Sequence, residues 1–146
     1  MEPEVRLRIS VLGLFIKSGT VLMIDKLTGP EPNRWDLPGG GLRPGEPLIQ
    51  ALKREIREET GLSDFRVESL LTIVEGFFPN WHGKLLHSLS IIYQCSIAGE
   101  FTVYTTGDHE VGARGIQWLP IAKLTPEVCS TRSWTALQLA LSKPKA

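Results

Sequence analysis

The chain has 146 residues, of which 42% are hydrophobic and 22% charged, and its formal net charge is zero. This composition predicts one globular domain over residues 1–146 with an ordinary apolar core. Zero net charge excludes a whole-molecule field that would attract nucleic acid or a membrane surface, so any polyanion must be recognised locally.

The N-terminal segment and the two cysteines bear on where the protein works. The segment MEPEVRLRIS has no basic region followed by an apolar run, and no apolar run in the chain is long enough to span a bilayer. We therefore expect a soluble, cytoplasmic protein with no membrane partner. Cys95 and Cys129 allow one disulfide at most, and in a chain with a normal core we expect two free, buried thiols.

The first forty residues predict two strands followed by loops. Apolar and polar residues alternate in VRLRIS, which is typical of a half-buried strand, and we predict that strand over 5–16. A short turn leads to a second strand over 20–26, so the chain is expected to open with a hairpin. Prolines and glycines then predict loops at 27–33 and 38–41.

A helix is predicted over 47–60, directly after the glycine-rich loop. Proline suits the first helical turn, and Gly61 suits the left-handed position after the last turn. At about 100° per residue, four apolar side chains share one arc and form the core-facing stripe. They are Leu48, Ile49, Leu52 and Ile56.

The second half of the chain predicts further strands and a closing helix. The predicted strands cover 65–78, 85–97, 101–105 and 115–119, with a loop at 77–83 and one helical turn at 120–124. Thr125-Pro126 has the pattern of an N-cap followed by proline, which predicts a final helix that restarts near Ser133 and ends at Leu141. Strands mixed with helices predict an α/β or α+β fold, with helices covering a mixed sheet.

Three glutamates of the first helix, Glu55, Glu58 and Glu59, form a second arc at the rim of the apolar stripe. Like charges at this spacing repel, and the repulsion grows where water screens it less. Arg54 can pair with Glu58, but Glu55 has another glutamate four residues on, so a solvated face of ion pairs accounts poorly for the cluster. A divalent cation would relieve the repulsion, since Mg²⁺ binds a few carboxylates together with substrate phosphates.

The segment from Gly40 to Leu62 resembles the signature sequence of the Nudix hydrolases. That signature runs glycine, five residues, glutamate, seven residues, Arg-Glu, an aliphatic residue, any residue, Glu-Glu, any residue, glycine and an aliphatic residue. Every specified position is filled, by Gly40, Glu46, Arg54, Glu55, Ile56, Glu58, Glu59, Gly61 and Leu62. The earlier run WDLPG and the later run WLP are also similar to the family, so the likeness extends over most of the chain.

The resemblance implies the Nudix fold, a mixed β-sheet sandwiched between helices, and hydrolysis of a phosphoanhydride in a nucleoside diphosphate linked to another moiety. It implies Mg²⁺ or Mn²⁺, which would neutralise phosphate charge and acidify the attacking water. The implied metal ligands are Glu55, Glu58, Glu59 and the carbonyl of Gly39. Glu58 or Glu59 would act as the base, and Arg54 would orient a glutamate through an ion pair.

The resemblance also implies a further carboxylate from outside the signature, and other residues are candidates for substrate contacts. The additional carboxylate is expected from Glu110, in a polar loop, or from Glu75, in an apolar strand where a charge needs a reason. Trp35 and Phe78 could stack on a base, and Arg8 on the first strand could face phosphates.

The substrate class stays open between a MutT-like nucleoside triphosphate pyrophosphatase and a hydrolase of ADP-ribose or nucleotide sugars. The expected partner is a small nucleoside diphosphate derivative rather than a nucleic acid, and a homodimer stays open. One alternative is a Nudix-fold nucleotide-binding module without catalysis, which the complete set of signature glutamates disfavours. Another is an isomerase of the isopentenyl diphosphate type, which the position of Cys95 inside an apolar strand disfavours.

Overall fold

The computed structural model describes residues 4–100 and 110–143. In chain order these residues form β1 (Val5–Lys17), β2 (Thr20–Lys26), β3 (Arg34–Asp36), β4 (Gly39–Gly41), α1 (Leu48–Thr60), β5 (Arg66–Trp81), β6 (Lys84–Ser96), β7 (Val111–Pro120), a 3₁₀ turn (Ile121–Lys123) and α2 (Thr131–Ser142). Neither α1 nor α2, the α-helices of these residues, is both long and apolar enough to cross a membrane.

The described strands form one mixed sheet with the order β3-β2-β1-β6-β5, while β4 pairs with β1 and β7 pairs with β2. The β1–β6 pair is parallel and the other pairs are antiparallel. The predicted opening hairpin is confirmed at its turn, where Ile16 pairs with Val21 and Lys17 with Thr20. Beyond the turn the two strands separate, because β1 takes β4 and β6 as partners while β2 takes β3 and β7.

A helix packs on each face of the sheet, and β1 shows how the two cores are divided. Val11 and Phe15 belong to the core that α1 covers, whereas Leu12 and Leu14 belong to the core that α2 covers. This division follows from the alternation of strand side chains between the two faces. The predicted fold class, a mixed sheet sandwiched between helices, is confirmed.

The glycine-rich segment that we predicted as a loop is the short strand β4. It pairs antiparallel with β1, with Gly39 opposite Leu12 and Gly41 opposite Ser10. Three glycines have no strand propensity of their own, so the pairing depends on β1 being in place.

The apolar stripe of α1 also differs from the prediction at one position, because Ile49 is 39% exposed and Ala51 is buried instead.

The hairpin formed by β5 and β6 is longer than predicted. The predicted loop at 77–83 is wrong for most of its length, since β5 continues to Trp81 and the turn is made by His82 and Gly83. Pro79 does not end the strand because it lies where the β5–β6 pairing is irregular, between Phe78 and Trp81, and because β5 is at the edge of the sheet. The predicted strand at 101–105 lies outside the described residues.

The last helix begins later than predicted. Thr125 is not its N-cap, because its carbonyl accepts a hydrogen bond from Val128 N–H at 3.3 Å in an isolated turn. The N-cap is Ser130, whose side chain accepts a hydrogen bond from Ser133 N–H.

In α1 the predicted end is confirmed, since Gly61 takes the left-handed conformation with φ 81° and closes the helix.

Both cysteines are free and buried, as predicted. Burial raises the pKa of the Cys95 thiol to about 12 and that of the Cys129 thiol to about 11. Each thiol therefore remains protonated near neutral pH and packs as a small apolar side chain.

Candidate active site

The glycine strand β4 lies directly against the glutamate-bearing helix α1. A side chain at Gly40 would collide with the carboxylate of Glu55, so the missing Cβ is what lets that carboxylate approach the strand. One residue earlier, Gly39 N–H donates a hydrogen bond of 2.9 Å to Glu59 Oε1. Two glutamates of the helix are thus drawn toward two neighbouring glycines.

Arg54 joins the helix to the loop and strand before it. Its guanidinium donates to both carboxylate oxygens of Glu46, at 2.7 and 2.8 Å, and to Glu55 at 2.7 Å. It also donates to the Gly41 carbonyl at 3.2 Å and approaches Glu58 at 3.4 Å. Hydrogen bonding from Arg54 holds the pKa of Glu46 at about 2, so this carboxylate is charged at any working pH.

Glu59 is more deeply buried than predicted. We expected it at the rim of the apolar stripe, but it is 1% exposed. It follows Leu52 by seven residues, which is close to two helical turns, so it shares the angular position of that core leucine. Glu58 points elsewhere, and its side chain is 48% exposed. The three glutamates therefore differ sharply in their access to water.

The residues present fit a hard divalent cation by their donor chemistry. Glu55, Glu58 and Glu59 supply carboxylate oxygens from two successive turns of α1, the ligand type that Mg²⁺ and Mn²⁺ prefer. Within residues 4–100 and 110–143, no three acidic, histidine or cysteine side chains converge closely enough to hold an ion as they stand. A Mg²⁺ site usually combines one or two carboxylates with waters and substrate phosphates, which these side chains can provide for.

A cleft opens beside β4 over the sheet face that α2 partly covers. Its lining includes three of the residues that we predicted from the sequence, Arg8, Glu75 and Phe78. Gly40 also lines it, so the contact between Gly40 and Glu55 connects the cleft to the helix glutamates. The rest of the lining comes from β1, β5 and β6, from Lys26 and the loop after it, from Asp36 and from the start of α2.

An ion pair between buried Asp36 and half-buried Arg132 forms one side of this cleft, and sequence reasoning missed it. Asp36 is 3% exposed and accepts hydrogen bonds from Arg132 Nη2 at 2.7 Å, from Ser133 Oγ at 2.6 Å and from Ser130 Oγ at 2.8 Å. Burial alone would raise the pKa of Asp36, but the charge and hydrogen bonds of Arg132, with the two serines, outweigh it and lower the pKa to about 2. The available signal was Ser130 itself, since serine is a preferred N-cap residue and stands directly before the helical segment.

Arg132 is bonded to Asp36 and is also influenced by the charges of two further carboxylates. Burial disfavours its charged form, but the negative charges of Asp36, Glu59 and Glu31 outweigh burial and raise its pKa. Arg132 therefore links α2 electrostatically to the buried glutamate of α1. It also donates to Ser90 Oγ on β6 at 3.2 Å, so it braces the floor of the cleft.

The loop between β2 and β3 forms a second wall and is fastened to α2. Glu31 accepts from Thr131 N–H at 3.1 Å and from Thr131 Oγ1 at 2.8 Å. Arg34 completes the contact with a 3.1 Å ion pair to Glu31. A carboxylate at a helix N-terminus is well placed, because it meets unpaired backbone N–H groups and the positive end of the helix dipole.

The remaining sequence candidates lie at different distances from the cleft. Trp35 does not line it, since it is 8% exposed in the α2-side core and Arg114 covers its ring at 4.6 Å. Glu110 forms a 3.2 Å ion pair with Lys26, which does line the cleft. Glu75, already at the cleft, pairs with His87 at 2.8 Å.

A sheet between two helices, with a glycine strand packed against a glutamate-bearing helix, defines the class of domain that the sequence signature pointed to. The NUDIX domain model matches residues 5–138, and the chain belongs to this family. The crystal structure of the MutT NUDIX hydrolase from Burkholderia pseudomallei is similar, with a TM-score of 0.73 and 25% identity. The match covers 92% of this chain and 98% of that one.

Curated relatives share parts of this chain. It is 33% identical over 91 residues to the ADP-ribose pyrophosphatase of Methanocaldococcus jannaschii, covering 62% of this chain and 52% of that protein. It is 38% identical over 72 residues to the human 8-oxo-dGDP phosphatase, covering 49% of this chain and 22% of that protein. The chain therefore spans about half or less of the length of each of these relatives.

Proposed function

We propose that this protein is a divalent-metal-dependent hydrolase that cleaves a phosphoanhydride bond in a small nucleoside diphosphate derivative. The observation that carries the proposal is the contact between β4 and α1, where Gly39 and Gly40 receive the carboxylates of Glu59 and Glu55 at the edge of the cleft. Membership of the Nudix family supports the reaction class. The names of the relatives support a nucleotide substrate.

The roles that we propose follow from how each side chain is held. Glu55, Glu58, Glu59 and the Gly39 carbonyl would hold Mg²⁺ or Mn²⁺, which when bound would neutralise phosphate charge and acidify water. Glu58 suits proton transfer, because its side chain is half-exposed and only loosely held by Arg54. Glu59 suits a fixed ligand, because it is buried and bonded to the backbone.

Arg54 is proposed as a positioning residue for these carboxylates. Its guanidinium is occupied by Glu46, Glu55 and the Gly41 carbonyl, so it orients the glutamates rather than the substrate. The substrate itself would lie in the cleft, against Arg8 and Phe78. Glu75, which lines the cleft, and Glu110, which pairs with Lys26, are the two proposed sources of a further carboxylate.

The test is a hydrolysis screen with Mg²⁺ or Mn²⁺ over deoxynucleoside triphosphates with 8-oxo-dGTP, ADP-ribose, nucleotide sugars and dinucleoside polyphosphates. We expect one preferred class, with turnover abolished by EDTA. Glu58→Gln and Glu59→Gln should each lower kcat about 10²- to 10⁴-fold, since a carboxamide neither takes a proton nor carries the ligand charge. The fold should survive, because glutamine at position 59 can still accept from Gly39 N–H.

The matched control is Glu68→Gln, which removes an exposed carboxylate of β5 that accepts from Ser96 Oγ. It should leave turnover unchanged. Full activity in both the Glu58 and the Glu59 variant would overturn the metal-site assignment. Nucleotide binding by the wild-type protein without turnover on any substrate would identify the non-catalytic binding module instead.

A further inference from the structure

Three hydrogen-bonding side chains on the floor of the cleft form a compact patch. Arg8 and Ser10 are alternate residues of β1 and face the same side of the sheet. Ser88 lies beside Arg8 in the parallel register of β1 and β6, and it also lines the cleft. With strands about 4.8 Å apart and alternate residues about 7 Å apart, the patch matches one edge of a planar heterocycle.

None of these three groups is bonded to another side chain or backbone group of the described residues. Arg8 makes no hydrogen bond or ion pair within the described part of the chain, and neither do the hydroxyls of Ser10 and Ser88. The two serines are nevertheless only 2% and 8% exposed. No fully buried side-chain oxygen in that part of the chain lacks a partner, so both hydroxyls open onto the cleft.

The other described cations around the cleft are already occupied. Lys26 pairs with Glu110 at 3.2 Å, and Arg132 pairs with Asp36 at 2.7 Å. Arg8 is therefore the cleft cation of the described residues whose donors remain available to a ligand. Because a guanidinium only donates, the ligand group that it meets must accept hydrogen bonds.

An aromatic wall stands beside the patch. Gly76 is the β5 partner of Ser88, and Phe78 is the partner of Leu86. A Cβ at Gly76 would lie 3.1 Å from the Phe78 ring, so the ring leans over the glycine and stands next to Ser88. A planar group stacked on Phe78 would therefore turn one edge toward Ser88 and Arg8.

We propose that Arg8, Ser10 and Ser88 select a nucleobase with hydrogen-bond acceptors along one edge, such as a 6-oxopurine. Arginine pairs in a bidentate manner with the O6 and N7 atoms of such a base, whereas adenine presents an amino donor in place of O6. The inference rests on the proposed function, since it names the substrate class of the same cleft.

The experiment compares dITP with dATP, because inosine differs from guanosine only in lacking the 2-amino group and so isolates the O6/N7 edge. The wild-type protein should prefer dITP by about 10- to 100-fold in kcat/KM, which is the discrimination of a good bidentate pair. Arg8→Gln should reduce this preference to within a few fold. Ser88→Ala should weaken it by about 2- to 10-fold, as expected for one hydrogen bond.

The matched control is Arg6→Gln, which removes the same charge from the same strand face outside the cleft lining. It should keep the wild-type preference for dITP.

Equilibrium binding of dITP and dATP is measured with Ca²⁺ in place of Mg²⁺, so that discrimination between the bases is measured without turnover. If the protein discriminates between the bases in binding but hydrolyses neither nucleotide with Mg²⁺ or Mn²⁺, the proposed function is overturned and the base assignment is supported.

Three results would overturn the base assignment while leaving hydrolysis intact. The first is a wild-type preference for adenine nucleotides, ADP-ribose included. The second is an equal loss on dITP and dATP in Arg8→Gln, which would assign Arg8 to a phosphate group. The third is a change in Arg6→Gln as large as that in Arg8→Gln, which would indicate a general effect of charge. Unchanged melting temperatures confirm that the variants are folded, since the side chains of Arg6, Arg8 and Ser88 have no bonded partner within residues 4–100 and 110–143.

Discussion

Gly39 and Gly40 are adjacent residues of β4, and each excludes a side chain for a different reason. Gly39 has φ 143°, and a Cβ there would lie 2.7 Å from the Leu12 Cα and closer still to the Val11 carbonyl oxygen. These are backbone atoms of a central strand, which cannot move. At Gly40 the obstacle is the carboxylate end of Glu55, which can swing away.

Alanine at these two positions should separate stability from activity. Gly39→Ala should lower the free energy of unfolding by roughly 3–5 kcal/mol, through backbone strain and overpacking together. Gly40→Ala should cost about 1 kcal/mol or less, but it should lower turnover about 10²-fold by displacing Glu55. Urea unfolding and initial rates with Mg²⁺ measure the two effects. If the Gly40→Ala variant kept the wild-type rate, the proposed role of Glu55 in the active site would be contradicted.

At the scale of elements, the chain after β7 contains two segments that read as helix starts, and the structure uses only the second. Thr125 precedes proline, yet the turn it begins ends at Val128. Ser130 caps α2 and also donates to Asp36 at 2.8 Å. The start of α2 is therefore decided by a tertiary partner in addition to its own capping sequence.

Removing each hydroxyl in turn tests this assignment of the helix start. Ser130→Ala should lower the free energy of unfolding by about 1–2 kcal/mol, because it loses the cap and a hydrogen bond to a buried carboxylate. Thr125→Ala should stay within about 0.5 kcal/mol of the wild-type protein, as a surface substitution with no capping role. Chemical denaturation measures the free energy of unfolding of both variants. Equal losses of stability in the two would contradict the assignment of Ser130 as the helix start.

At the scale of the whole molecule, the Asp36–Arg132 pair ties α2 to β3 and lies between the cleft and the α2-side core. Its members are bonded on several sides, by Ser130, Ser133 and Ser90. The folded state holds Asp36 at a pKa of about 2, below its ordinary 3.8. A carboxylate whose pKa is lower in the folded than in the unfolded state stabilises the folded protein at pH values above the unfolded pKa. This stabilisation is lost as the pH falls toward the folded pKa.

Acid should therefore weaken the wild-type protein through this pair. Asp36 contributes about 2 kcal/mol that is complete above about pH 5 and disappears toward pH 2. Asp36→Asn should be less stable at pH 7 by about 2–3 kcal/mol, because Arg132, whose side chain is 22% exposed, loses its ion pair and hydrogen bonds. The gap between the two proteins should shrink by about 2 kcal/mol between pH 5 and pH 2. A gap independent of pH, measured by urea unfolding, would contradict the pairing.

Elements whose pattern lies within their own residues were predictable. The alternation along β1, the end of α1 at Gly61 and the burial of both cysteines follow from local rules of strands, caps and composition. Strand β4 was not predictable, because glycines form a strand only when β1 supplies the hydrogen bonds. Strand β5 runs through Pro79 because it is an edge strand, and its place in the sheet is not written in its own residues.

The candidate site divides in the same way. The sequence by itself determined the family signature, the clustering of three glutamates on one helix and the expectation of a divalent cation, because helical spacing places side chains without reference to the rest of the fold. Only the tertiary structure decided that Glu59 is buried against Gly39, that Trp35 belongs to the core, and that Arg8 and Ser88 share one patch. Those facts depend on which strands become neighbours, and strand pairing joins residues far apart in the chain.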